Sequence, residues 1–120
     1  MSKSILVVDD SNTELEHISS IIKSKGYEVV TASSGEEALN KANIAKPDLI
    51  VLDVVMPGKD GYQTCRELKK EENTKDIKIV MVTSKSQKTD EYWGRKQGAD
   101  DYITKPFEPD NLLSSISSLI

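Results

Sequence analysis

Short apolar runs alternate along the chain with longer stretches in which apolar residues recur every three or four positions. The runs are Ile5-Leu6-Val7-Val8, Val29-Val30, Leu49-Ile50-Val51-Leu52, Ile77 to Val82 and, more weakly, Tyr102-Ile103. In the first and third, apolar residues follow one another without alternation, the pattern of strands covered on both faces in a parallel sheet. The intervening stretches read as helices. Leu15, Ile18, Ile21 and Ile22 form one stripe, with Gly26 placed to end it. Ser34-Gly35-Glu36-Glu37 reads as a capping box ahead of Ala38, Leu39, Ala42 and Ala45, and Pro47 stops that helix. Tyr62, Cys65 and Leu68 give a third stripe, closed by a polar loop through Asn73 and Thr74. A fourth helix is expected from Lys88 to Gln97 with Gly98 at its end, and a fifth from Pro109 onward.

Five strand-helix pairs in strict alternation predict an α/β domain: a parallel sheet with helices on both faces and right-handed crossovers. Ligands of such sheets sit beyond the carboxyl ends of the strands. The chemistry is therefore to be sought just after each apolar run.

Composition narrows the class. At 120 residues the chain is expected to be one domain, 1–120. Sixteen Lys+Arg against twenty Asp+Glu leave a net charge of −4, without the basic stripe that nucleic-acid binding needs. A single cysteine, Cys65, excludes an internal disulfide and a Cys-rich metal site. No apolar run is long enough to span a membrane, and the start lacks the pattern of a signal peptide. A cytoplasmic location is the expectation.

At the strand ends stand Asp9-Asp10, Asp53, Thr83-Ser84 and Lys105-Pro106, whereas Thr31-Ala32-Ser33 at the second exit carries no evident reactive group. Each has an ordinary explanation taken alone. An Asp pair caps helices, Asp53 can start a turn, Thr83 can be a loop residue, and a lone lysine is usually solvated. Their joint placement on one rim is what matters. Three clustered carboxylates raise one another's pKa, a cost that a divalent cation with oxygen ligands removes, and such a set suits Mg²⁺. Lys105 could neutralise a phosphoryl oxygen and the Thr83 hydroxyl could donate to another, which makes the set a phosphoryl-accepting site. Familiar alternatives fail on spacing: no Gly-x-x-x-x-Gly-Lys-[Ser/Thr] and no Gly-x-Ser-x-Gly is present. His17 has no partner at metal-ligand spacing and is expected at the surface.

Four stretches carry a family resemblance: Ile5 to Ser11, Asp53 to Gly61, Val82-Thr83-Ser84, and Tyr102 to Phe107. In this order they resemble the receiver domain of two-component response regulators. The resemblance implies the CheY-like (flavodoxin-like) doubly wound (βα)5 fold, with five parallel strands in the order 2-1-3-4-5. It implies that Asp53 accepts a phosphoryl group from a histidine kinase. Asp10, Asp53 and the Val55 backbone carbonyl would bind Mg²⁺, with Asp9 acting through a water. Lys105 would pair with the phosphoryl group, its bond to Pro106 being cis. Thr83 would turn toward the phosphoryl oxygen and Tyr102 would swing inward, altering the face between the fourth and fifth helices where a downstream protein effector docks. The stretch Asp90 to Asp100 is similar to regulators of chemotaxis-like systems that control type IV pilus twitching motility and phototaxis, which places Trp93 near the output face. A monomer that neither binds nucleic acid nor inserts into a membrane is expected.

Two positions that vary within that family bear on phosphate lifetime. Val55 offers no polar side chain to align an attacking water; Lys85 could screen the phosphoryl group or attract a phosphatase. An alternative is a phosphatase of the haloacid-dehalogenase type, which needs Asp-x-Asp where this chain has Asp53-Val54-Val55. A receiver-like module that binds partners without phosphorylation is a third reading. A receiver without an attached effector would deliver its signal by docking, and would catalyse only its own phosphorylation and dephosphorylation.

Overall fold

Ten elements alternate in the computed structural model, which describes residues 2–120: β1 (Ser4–Val8), α1 (Asn12–Lys23), β2 (Glu28–Ala32), α2 (Gly35–Ala45), β3 (Leu49–Leu52), α3 (Gly61–Lys70), β4 (Lys78–Thr83), α4 (Lys88–Lys96), β5 (Asp101–Thr104) and α5 (Pro109–Leu119). All strand pairs are parallel, and the order is β2-β1-β3-β4-β5, as the resemblance implied.

The succession of apolar residues in β1 and β3 has the expected consequence. One side of each strand enters a core under α2 and α3, with Leu6, Val8, Ile50 and Leu52 against Ala38, Ala42, Cys65 and Leu68. The other side enters a core under α1 and α5, with Ile5, Val7, Leu49 and Val51 against Ile18, Ile22, Leu112 and Ile116. Each such aliphatic side chain contributes about 1.5–3 kcal/mol on burial, so the central strands anchor everything at their ends. β2, an edge strand, is only partly buried.

Local chemistry departs from the sequence reading at three helix ends. At α2, Ser34 caps Glu37 N–H as expected, but the Glu37 carboxylate reaches back to the N–H of Ser33 (2.7 Å) rather than that of Ser34. The first helix ends at Lys23 with Ser24 as its C-cap, two residues before Gly26, whose φ of +86° then turns the chain into β2. Thr74, read as part of a solvated loop, is buried because its hydroxyl donates to the Leu68 carbonyl (2.6 Å), closing the end of α3.

Candidate functional site

Strand register decides which side chains meet. Val8 pairs with Leu52, so β1 and β3 end level and the next residues, Asp9 and Asp53, emerge side by side. Backbone bonds continue past the strands: Asp53 N–H donates to Val8 O (3.0 Å), and Lys105 N–H donates to Thr83 O (2.8 Å). The second bond sets Lys105 on the same rim, and the Lys105–Pro106 peptide is cis.

Carboxylate oxygens of Asp9, Asp10 and Asp53 all lie within 4.8 Å of one another. Asp9 and Asp53 are buried and Asp10 is exposed. The helix-cap explanation of the Asp pair does not hold, because Ser11 caps α1 by accepting from Glu14 N–H (3.3 Å). Asp9 instead accepts the Ser11 N–H (3.0 Å), and Asp53 accepts the Val55 N–H (3.2 Å). These bonds orient both carboxylates, whereas the Asp10 carboxylate has no hydrogen-bond or ion-pair partner among the described residues. Hard oxygen donors this close, with one exposed, fit a divalent cation such as Mg²⁺.

Lys105 lies inside this cluster. Its Nζ is 2.9 Å from Asp9 Oδ2 and 3.4 Å from Asp53 Oδ2, and Glu14 Oε1 lies 3.3 Å away on the other side. Burial pulls the ammonium down, but the carboxylates of Asp9, Asp53 and Glu14 override that and hold it above its ordinary value. Asp53 behaves in the opposite sense. Burial pushes its carboxyl up, aided by the Asp9 charge, and the Lys105 ammonium, the Thr83 hydroxyl and the Val55 N–H only partly offset this. Positive charge added beside Asp53 favours its ionised, nucleophilic form. Glu14 was missed by sequence reasoning, since an acidic residue in a first helical turn already has an explanation in the helix dipole.

Behind the acidic cluster is a second group of side chains. Thr83 is fully buried, with its Oγ accepting weakly from Lys85 N–H (3.4 Å). Tyr102 is inside the fold already: its hydroxyl donates to the Lys85 carbonyl (2.8 Å), and its ring packs beside Met81 and Gly94. The Tyr62 hydroxyl donates to the Asp90 carbonyl (3.0 Å), joining α3 to the same region. The Lys85 ammonium lies 3.8 Å from Asp90 Oδ1, beside α4. Val55 is half exposed at the mouth of the site. Trp93 is 55% exposed on α4 next to Tyr92, so it does not serve as core packing. His17 is exposed, 6.0 Å ring to ring from Phe107. Among the described residues, no helix is long and apolar enough to cross a membrane.

Residues 5–117 match the family described as the response regulator receiver domain. Protein PilH of Pseudomonas aeruginosa is 40% identical over 116 residues, which cover 97% of this chain and 96% of that protein. The alkaline phosphatase synthesis transcriptional regulatory protein PhoP of Bacillus subtilis is 42% identical over the whole chain, which spans about half (49%) of that protein's length. Among solved structures, the chemotaxis response regulator CheY4 of Vibrio cholerae superposes with a TM-score of 0.93 at 32% identity, with full coverage of both chains.

Proposed function

The chain belongs to the response regulator receiver domain family and acts in signalling rather than as a conventional enzyme, and from that premise we propose that residues 1–120 form one receiver domain that accepts a phosphoryl group on Asp53 and passes the signal on by binding another protein. One observation carries the reading. A buried, hydrogen-bonded carboxylate shares a lysine ammonium with a second acid at the mouth of the sheet, and a third acid beside them has no partner among the described residues.

In the proposed reaction, an Asp53 oxygen forms a bond to phosphorus as the phosphorus–nitrogen bond of a kinase phosphohistidine breaks, its electron pair returning to the imidazole. Asp10, Asp53 and the Val55 carbonyl would hold Mg²⁺, with Asp9 acting through a water. When bound, the ion supplies positive charge opposite the phosphoryl oxygens. Lys105 moves from carboxylate to phosphoryl oxygen, and the Thr83 hydroxyl donates to a second oxygen. Water attack on the acyl phosphate then resets the domain, and in both directions the chain acts on itself alone. Lys85 contributes through its backbone, as acceptor for Tyr102, while its ammonium stays with Asp90. The inward Tyr102 shapes the surface formed by α4, β5 and α5, where exposed Tyr92 and Trp93 offer contacts to a protein effector.

The segment Asp90 to Asp100 and the 40% identity to PilH favour a chemotaxis-like pathway controlling type IV pilus motility. The phosphodonor would be the histidine kinase of that pathway, and the protein a cytoplasmic monomer. The test is direct. Incubated with Mg²⁺ and acetyl phosphate, the protein should gain the mass of one phosphoryl group, and Asp53→Asn should not. A folded wild type that gains none would refute the reading.

A further inference from the structure

Lys105 is shared among three carboxylates, and one of them lies outside the cluster that fits a cation. Asp9 and Asp53 belong to that cluster; Glu14 does not. Glu14 stands in the first turn of α1, three residues after the cap at Ser11, and its Oε1 approaches Lys105 Nζ to 3.3 Å. This is closer than the 3.4 Å that separates Nζ from Asp53 Oδ2. The Glu14 side chain is 35% exposed, and among the described residues Lys105 is its cationic partner. We propose that Glu14 is a positioning residue that acts through Lys105: its carboxylate draws the ammonium toward α1 and competes for it with a phosphoryl group on Asp53, so restraining the phosphorylated form.

The proposal rests on the phosphoryl-accepting reading above, and its physics has two parts with opposite signs. With no phosphoryl group present, Glu14 lightens the hold of Lys105 on Asp9 and Asp53 and adds negative potential nearby, so both effects favour a divalent cation. Once an anionic phosphoryl group arrives, Glu14 repels it and contests its lysine. Removing the charge should therefore weaken cation binding and strengthen binding of a phosphoryl mimic. A unit charge a few ångströms from a partly solvated site changes each affinity by about three- to tenfold. The competing explanation is that Glu14 serves only the dipole of α1. That predicts a small loss of thermal stability and no opposed change in the two affinities.

The experiment uses the full chain as wild type, Glu14→Gln and Glu14→Asp. Mg²⁺ affinity is measured by calorimetry, and beryllofluoride affinity at saturating Mg²⁺ by backbone amide NMR. We expect Glu14→Gln to bind Mg²⁺ about three- to tenfold more weakly and beryllofluoride about three- to tenfold more tightly. Glu14→Asp, which keeps the charge, should stay near wild type in both. Unchanged affinities in Glu14→Gln, or two changes of the same sign, overturn the proposal. A wild type that binds beryllofluoride and takes phosphate from acetyl phosphate beside an unresponsive Glu14→Gln overturns the role of Glu14 alone. A wild type that does neither overturns the phosphoryl-accepting reading and this proposal with it.

Discussion

Replacing Gly94 with alanine sets two well-characterised effects against each other. Glycine within a helix costs about 1 kcal/mol relative to alanine, so at an open position the change would stabilise by that amount. Gly94 is not open. A Cβ there would lie 2.8 Å from Met81 Sδ and 2.9 and 3.0 Å from two ring carbons of Tyr102. Met81 is fully buried and cannot retreat freely. Forcing a methyl group into packed surroundings costs about 1–3 kcal/mol. The ring's escape is outward, which would forfeit the 2.8 Å bond from the Tyr102 hydroxyl to Lys85 O, itself contributing about 1 kcal/mol. The net expectation is a loss of about 0–2 kcal/mol, or a fall in Tm of several degrees at about 3–6 °C per kcal/mol. The assay is thermal and urea unfolding of wild type, Gly94→Ala, Tyr102→Ala and the double variant. Without the Tyr102 ring, Met81 can shift into the space the ring occupied and the added methyl finds room, so Gly94→Ala should then stabilise, giving a coupling of at least about 1 kcal/mol between the two sites. A Gly94→Ala protein that gains stability in the presence of Tyr102 would refute the claim that this glycine exists to admit the inward tyrosine.

Other predictions concern the acidic rim and the core. Lys105→Ala should destabilise the cation-free protein by up to about 3–5 kcal/mol, because Asp9 and Asp53 lose their buried counter-charge; Mg²⁺ should then raise its Tm more than that of wild type, and an equal Mg²⁺ response would contradict the assigned pairing. Cys65 is fully buried, and burial pushes its thiol up to about 12, so it should resist thiol reagents in the native state and react once urea unfolds the chain. Val55→Asn, which places a polar group at the half-exposed mouth of the site, should shorten the acyl-phosphate lifetime; loss of phosphate no faster than wild type would show that this position does not limit water attack.

The strands and the rim were legible because their signals are local. Unbroken apolar runs report burial on both faces, and in a parallel sheet the residue after each run must emerge at the ligand-binding edge, which is how Asp9, Asp53, Thr83 and Lys105 could be picked out together. Contacts that depend on register across the sheet were not legible. The Lys105–Asp9 bond joins residues 96 positions apart, and the approach of Glu14 to the same ammonium follows only once α1 is seated against β1 and α5. Composition also misled at Thr74. Asn73-Thr74 reads as solvated loop, yet a threonine hydroxyl can satisfy a helix-end carbonyl from inside, and here it does so at Leu68. The polar stretch of α4 concealed the burial of Gly94, which belongs to no apolar stripe whose phase could be read, whereas the surface position of Trp93 was expected from the family resemblance alone.

The claim on which the rest depends is that Asp53 is the acceptor, and trapping the acyl phosphate tests it most directly. Borohydride reduces an aspartyl phosphate to homoserine, so protein treated with acetyl phosphate and Mg²⁺ and then with borohydride can be digested and sequenced by mass spectrometry. Phosphorylation at Asp53 predicts homoserine at position 53 and unmodified aspartate at positions 9 and 10. Homoserine at position 9 or 10, with Asp53 intact, would contradict it.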